Sequence, residues 1–243
     1  MTDSVSSSVS GLAPEGLEYV GNSLQEQKSA RMRTKILEAT LDCLTIHGYA
    51  NTSNNLICSI AKVSRGAMLY HYPTRHDLLS DVIEYAFYQH MRAFSQRINS
   101  LSETDRVNHN IGIALDWEAC QSKPFQAYLE LRVAARTNKE LRRIFVPRFK
   151  HHDQVWKDEL LKSFPEWRND LKKLDLTRRF IRAILEGLTM SRDLRKEPET
   201  EWILLEFTSQ IGHKLLTGDL SFSSDAQVKA FRKLVEKKTS HST

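Results

Sequence analysis

Two short helices joined by a tight turn are predicted between Thr52 and Asp77. Thr52 or Ser53 can cap the first helix, and Ser64 offers an N-cap for the second. Apolar residues of the first helix recur at three- and four-residue spacing: Leu56, Ile57, Ile60 and Ala61. Pro73 ends the second helix because it restricts the residue before it. Such a pair can cross at a steep angle and present its second helix to the DNA major groove.

The second short helix has a composition suited to close contact with DNA. Its first turn contains Arg65, Gly66 and Ala67, and two of these are too small to hold base edges away. Its next turn brings Tyr70 and His71. We predict that Arg65 reads a guanine edge, whereas Tyr70 and His71 contact phosphates and thymine methyl groups.

This region resembles the TetR family of transcriptional regulators over about residues 30 to 80. The positions that match the family pattern are Thr52 or Ser53, Ile57, Ala61, Val63, Ser64, Gly66, His71, Arg75, Leu78 and Leu79. The resemblance implies further DNA contacts from Asn54 and Asn55, at the start of the first short helix, and a phosphate contact from Arg75. Two departures stand out. Lys62 occupies a turn position where the family usually has glycine, and Leu69 replaces a tyrosine that often contacts phosphate, a role that the adjacent Tyr70 could take.

The composition favours an all-helical chain. Of its 243 residues only nine are glycine and six proline, and no run alternates apolar and polar residues over strand length. A helix is expected from Ser29 to Gly48 and a long one from Thr74 to about Ser100. Later helices are expected near 104–121, 124–137, 139–163, 170–193, 199–217 and 224–238. We divide the chain into a disordered N-terminal arm (1–27), a helix-turn-helix domain (28–76) and a helical effector-binding and dimerisation domain (77–240).

Positive charge is concentrated in the predicted DNA-binding region. The whole chain has a net charge of +5, and seven lysines and arginines stand against two carboxylates between Lys28 and His76. A locally basic face is what counterion release from DNA requires. The odd number of separated cysteines, Cys43, Cys58 and Cys120, indicates small buried groups in a reducing cytoplasm rather than disulfides. Neither a membrane-spanning run nor a secretion signal is evident.

The resemblance also implies a dimer and an effector pocket in the C-terminal half. In the family the last two long helices usually form a four-helix bundle with a second subunit, and we assign the interface to Ile184, Leu188, Leu205 and Ile211. A pocket for a small apolar or aromatic effector is expected among aromatic residues of the middle helices: Trp117, Phe125, Tyr128, Phe149 and Trp156. Ordinary core packing is the alternative for both sets.

The sequence contains no motif that anchors an enzyme. P-loop, G-x-S-x-G, C-x-x-C and H-E-x-x-H patterns are absent, and no cofactor is expected. His151, His152 and Asp153 are adjacent, but neighbouring helical residues point about 100° apart, so we expect a solvated polar face rather than a metal site. The leading hypothesis is a dimeric repressor released from a palindromic operator by a small molecule. The alternative is a helical enzyme or carrier in which the helix-turn-helix is only structural.

Overall fold

Helices and their connecting turns make up the computed structural model, which describes residues 9, 11–17, 23–102, 105, 109–163 and 165–239, with no strand among them. The helices are α1 (Leu24–Asn51), α2 (Asn54–Ala61), α3 (Arg65–His71), α4 (Arg75–Ser100), α5 (His109–Cys120), α6 (Lys123–Ala134), α7 (Lys139–Ser163), α8 (Leu171–Arg195), α9 (Pro198–Thr217) and α10 (Asp225–Thr239). A 3₁₀ helix (Pro165–Asp170) precedes α8. The all-α prediction is confirmed. Of the described helices, none is long and apolar enough to cross a membrane.

Side-chain caps fix the ends of the short helices. The Ser53 hydroxyl accepts a hydrogen bond from the Leu56 amide at 3.3 Å, so Ser53 rather than Thr52 caps α2. Ser64 caps α3 in the same way, through the Ala67 amide at 3.0 Å. Each cap satisfies an amide that the first helical turn leaves without a partner. The predicted caps, turn and stop before Pro73 therefore lie where the sequence indicates.

The first helix begins earlier than predicted. Ser23 and Glu26 form a capping box that starts α1 at Leu24, five residues before Ser29. The regular turns end at Gly48, as expected, because its φ of 72° lies in the left-handed region that glycine adopts readily.

The predicted disordered arm (1–27) overlaps these described residues. Leu24–Gln27 lie in the first turn of α1, and Val9 and Leu12 are buried against α4 and α7. Residues 1–8, 10 and 18–22 lie outside the described part of the chain. Burial of two aliphatic side chains favours an ordered position for this short stretch, which a Ser-rich composition alone does not indicate.

The turn between α2 and α3 is strained at Lys62. Its φ and ψ of 51° and 51° are left-handed, as predicted for the glycine position of the family pattern. Lys196, after α8, has the same conformation, with a φ of 55°. Because a side chain costs energy in this conformation, we expect Lys62→Gly and Lys196→Gly each to raise the free energy of unfolding by up to about 1 kcal/mol. Urea titration of both variants measures this. An unchanged or lower transition midpoint in both would contradict the strain argument.

One hydrophobic cluster joins the DNA-binding helices to the rest of the chain. Buried residues of α1 to α4 pack with Ala127 and Leu131 of α6 and with Leu141 and Phe145 of α7. Helix α6 packs on both α1 and α4. The proposed domain boundary between residues 76 and 77 therefore falls within continuous packing.

Helices α8 and α9 form an antiparallel hairpin. Their close approach is visible at Gly212, where an added Cβ would lie only 3.1 Å from Ile181 Cδ1. The inward face of α9 buries Leu205 and Leu215 with the small residues Thr208, Ser209 and Gly212. Leu205, predicted to lie at a dimer interface, is only 3% exposed and packs inside the subunit against α5 and α8. That prediction is wrong for Leu205 because a helix with two apolar faces does not reveal which one faces the core.

Candidate DNA-binding site

The recognition helix α3 has one buried side and one exposed side. Met68 is 1% exposed and contacts the Cys58 thiol, which holds α3 against α2. Gly66 and Tyr70 lie on the opposite side, and Arg65 lies at the N-terminal end of the helix; all three are exposed, with Tyr70 at 78%. The predicted contact residues Arg65, Gly66 and Tyr70 are therefore open to solvent in the part of the chain that the structure describes.

The other predicted contact residues lie around this surface. Ala67 and His71 are half-buried at its edge, and the Tyr70 and His71 rings meet edge to face with centroids 5.0 Å apart. Burial, assisted by the positive charge of Arg33, lowers the pKa of His71, so the ring is neutral at pH 7. Asn55 is exposed and Asn54 half-buried at the start of α2. All of these remain predicted DNA contacts.

Arg75 and Arg33 also make structural contacts within the DNA-binding unit. Arg75 Nη1 donates to the Thr52 carbonyl at 2.9 Å, and its guanidinium lies 5.2 Å from the Tyr49 ring centroid. Arg75 thereby ties the start of α4 to the loop before α2. Its predicted phosphate contact would have to use the remaining N–H groups.

Arg33 is one of the basic residues between Lys28 and His76 that make this region positively charged. Its Nη2 donates to Asp81 Oδ2 of α4 at 2.5 Å, and its guanidinium lies over the Tyr72 ring. Sequence reasoning did not identify Lys62 and Leu69 as surface candidates, although both are exposed beside the predicted contacts.

A cavity of about 540 Å³ lies in the C-terminal half, lined by residues of α4, α6, α7 and α8. Four of the five predicted pocket residues line it: Phe125, Tyr128, Phe149 and Trp156. Trp117 does not; it is buried in a separate cluster of α5, α6, α8 and α9, with the Arg192 guanidinium 5.7 Å from its ring centroid. The structure does not bring Trp117 to this cavity, and helical periodicity could not distinguish its core position from a cavity wall.

His152 is buried at the cavity rather than on a solvated face, which corrects the sequence-based expectation. Its Nε2 lies 2.6 Å from Glu84 Oε2 of α4, and its Nδ1 lies 2.9 Å from the Tyr128 hydroxyl of α6. Burial lowers the pKa of His152 despite the opposing effect of Glu84. The neutral ring can donate to Glu84 and accept from Tyr128. No group of metal-binding side chains occurs in the described ranges.

The three cysteines are buried and unpaired with one another, as expected. Burial raises the pKa of Cys43 to about 11 and also raises that of Cys120. Both thiols are therefore protonated at pH 7, which disfavours reactivity because the thiolate is the nucleophile.

Known proteins share the helix-turn-helix region of this chain. The family model described as "Bacterial regulatory proteins, tetR family" matches residues 36–82, which include all of α2 and α3 and most of α1. The N-terminal region of the chain is thus similar to the DNA-binding part of TetR-family transcriptional regulators. An uncharacterized HTH-type transcriptional regulator of Mycobacterium tuberculosis is 22% identical over 182 residues, which are 73% of this chain and 90% of that protein. The family and these relatives are regulators rather than enzymes.

Solved structures share the fold at low sequence identity. A transcriptional regulator from Rhodococcus sp. Rha1 superposes with a TM-score of 0.57 and 15% identity, covering 78% of this chain and 99% of that one. The multidrug binding protein EbrR, complexed with ethidium, gives a TM-score of 0.52 and 18% identity, with 76% and 98% covered. The likeness therefore extends from the TetR-type N-terminal region through most of the helical C-terminal part.

Proposed function

We propose that the chain is a homodimeric TetR-family repressor that leaves a palindromic operator when a small molecule enters the 540 Å³ cavity. The observation that carries the proposal is that α4, which begins four residues after the recognition helix, also forms a wall of the cavity. One rigid element thus belongs to both sites. A ligand that favours a different position of α4 would change where the recognition helix lies.

Direct contacts support coupling between the cavity and the DNA-binding helices. On α4, Glu84 holds His152 of the cavity wall at 2.6 Å. On α6, which also lines the cavity, Glu130 Oε1 accepts a hydrogen bond at 2.7 Å from the Tyr49 amide at the end of α1. Through these two contacts, a ligand in the cavity could change the positions of α4 and of α1.

A dimer is supported by the outward face of the α8–α9 hairpin. Large apolar side chains are exposed there: Met190, Leu194, Trp202, Ile203 and Phe207. An added Cβ at Gly187 would meet nothing within 4 Å, which leaves room for a partner helix to approach closely. We assign the second copy of the chain to this face, since two-fold symmetry lets one apolar face cover itself. Two recognition helices could then reach successive major-groove faces about 34 Å, or a multiple of it, apart.

The fold also accommodates small molecules in a relative. EbrR is described as a multidrug binding protein complexed with ethidium. If this chain shares that property, its cavity binds a small molecule. This supports a ligand-responsive regulator over a protein whose cavity has no function. The distance between the two recognition helices of a dimer would then be the quantity that the ligand changes.

We expect ligand and operator to weaken each other's binding by the same factor, between about 5-fold and 150-fold. The operator can be found by selecting genomic fragments with the full-length protein and confirmed by fluorescence anisotropy at several salt concentrations. Compounds that raise the operator dissociation constant are then titrated into free protein and into the protein–operator complex by calorimetry.

The reciprocal measurement separates this mechanism from competition and from artefact. A compound that displaces DNA yet binds free and operator-bound protein equally well would contradict it. Indifference to all DNA fragments, without the steep salt dependence of phosphate contacts, would instead favour a helical carrier with a structural helix-turn-helix.

A further inference from the structure

The wall of the cavity carries more positive charge than an apolar effector requires. Five cationic side chains line it: Arg132, Lys150, Arg178, Arg179 and Arg182. Only two carboxylates, Asp153 and Glu186, do so. Asp116 and Asp175 pair with these arginines from outside this cavity, and even with them the cations remain in excess. Each of the four arginines has a carboxylate partner, so the surplus charge lies with the exposed Lys150. This surplus favours the approach of an anion over that of a cation.

Arg182 lies among the aromatic residues of this wall. Its Nη2 lies 3.4 Å from Asp116 Oδ1, and its Nη1 donates to Cys120 Sγ at 3.9 Å. Its Cζ lies 4.7 Å from the Trp156 ring centroid. A guanidinium has five N–H donors in a planar fork that matches a carboxylate. The contacts to Asp116 and Cys120 use only part of this donor set, so N–H groups remain for a ligand.

His90 is a second polar group that lacks a partner at the same wall. It is 5% exposed and lines the cavity, yet neither ring nitrogen has a hydrogen-bond partner among the described residues. Its ring stacks on Trp156 with centroids 5.4 Å apart and lies 5.1 Å from that of Phe125. Burial and the charge of Arg182 lower its pKa to about 3, so the neutral ring offers one donor and one acceptor.

We propose that the effector is a planar organic anion, with a carboxylate held by Arg182 and His90 and an aromatic or conjugated ring against Phe125 and Trp156. This inference rests on the proposed function, because it assumes that the cavity is the effector site. His90 and Arg182 both contact the Phe125 and Trp156 rings, so one small ligand can reach both groups. The sequence predicts an apolar or aromatic effector. The proposed effector is aromatic or conjugated and also negatively charged.

The rim of the cavity is also positively charged, which favours a negatively charged ligand. Arg179 has a 64% exposed side chain, and Lys150 is also exposed. Exposed cations at a cavity mouth raise the local concentration of anions and speed their entry. Ethidium, the ligand of the EbrR complex, carries the opposite charge. The two proteins would therefore share a fold and differ in the charge of the molecules they bind.

The test uses three probes with one ring system and different charges: 1-naphthoate, neutral 1-naphthamide and 1-naphthylmethylammonium. Each is titrated into the full-length protein, and binding is measured by calorimetry at low and high salt. We expect naphthoate to bind about tenfold or more tighter than the amide, and the ammonium to bind weakest, because charge-assisted hydrogen bonds exist only for the carboxylate. Equal binding of the three probes, tighter ammonium binding, or no binding at millimolar concentration would overturn the proposal.

Paired substitutions test the anchor without leaving a buried charge alone. Arg182→Gln with Asp116→Asn removes both members of an ion pair, and we expect it to remove the preference for naphthoate over naphthamide. His90→Phe preserves the stacked ring and should weaken naphthoate alone. The matched control is Arg97→Gln with Glu118→Gln, which removes a 2.7 Å pair of α4 and α5 outside this cavity. An unchanged preference in a folded Arg182→Gln/Asp116→Asn variant would exclude Arg182 as the anchor.

Operator binding is measured separately for each probe, so the two proposals can fail independently. A naphthoate that binds through Arg182 but leaves operator affinity unchanged supports the anion site and contradicts the ligand-responsive mechanism. Release of operator by the ammonium probe, with naphthoate inactive, would support ligand response and overturn the anion site.

Discussion

We expect Gly66→Trp to lower operator affinity by about 100-fold or more while leaving the fold intact. Gly66 lies on the exposed side of α3, and an added Cβ would meet only the Ser64 hydroxyl, at 3.9 Å. The indole can therefore point into solvent in free protein. In the complex it would occupy the space between the helix and the base edges, and the backbone could not approach closely enough for Arg65 to reach a guanine. Loss of base contacts leaves mainly phosphate contacts, which are far weaker.

Asn169→Trp is the matched control for this substitution. Asn169 is exposed in the 3₁₀ helix before α8, and the change likewise places an indole on the surface without altering charge. Anisotropy with the selected operator compares the two variants with the unsubstituted protein, and circular dichroism checks helix content. If folded Gly66→Trp protein binds the operator with unchanged affinity, the predicted groove-facing surface is wrong.

The helix-turn-helix could be predicted in detail because its signals are local. Ser53, Ser64 and Thr74 each cap a helix through the amide three residues ahead, and Pro73 acts on its neighbour. The left-handed conformation of Lys62 is likewise set by the tight turn itself. None of these requires knowledge of which distant residues meet. Local geometry therefore fixed the position of the recognition helix, whereas the identity of its DNA contacts stays a prediction.

Contacts between distant segments were not predictable in the same way. The partner of Arg33 lies 48 residues away, at Asp81, and that of His152 lies 68 residues away, at Glu84. A basic helix start and a pair of adjacent histidines are typical of solvated surface, and only tertiary packing distinguishes the buried cases. Because effector recognition depends on such contacts, the sequence indicated an aromatic pocket and did not indicate its charge.

The same limit explains the dimer assignment. Apolar periodicity identified α9 as a helix with an apolar face, but α9 has two. The inward face contains Leu205 and the outward face contains Ile203 and Phe207, which are four residues apart and so lie on one side. A single chain buries only one of these faces. The exposed face is consequently the stronger interface candidate, and it differs from the one chosen from sequence.

We expect Ile203→Asp to convert the dimer to monomer at micromolar concentration. Ile203 is 67% exposed in the subunit, so an aspartate there is solvated in a monomer and the fold is retained. In a two-fold dimer the substitution occurs twice, and each carboxylate would be buried against an apolar partner. An uncompensated buried charge costs about 3–5 kcal/mol in comparable cases, which corresponds to at least a hundredfold weaker association. Analytical ultracentrifugation over a concentration series measures this directly.

Val146→Asp provides the control, because Val146 is an exposed apolar residue of α7, outside the α8–α9 face. It introduces the same charge, and we expect the dimer to remain. The loss of dimer should also reduce operator binding, since one recognition helix alone contacts a single half-site. Folded Ile203→Asp protein that still sediments as a dimer would exclude the outward face of α9 from the interface. The half-buried Ile184, Leu188 and Ile211 would then be the next positions to test, by the same substitution and measurement.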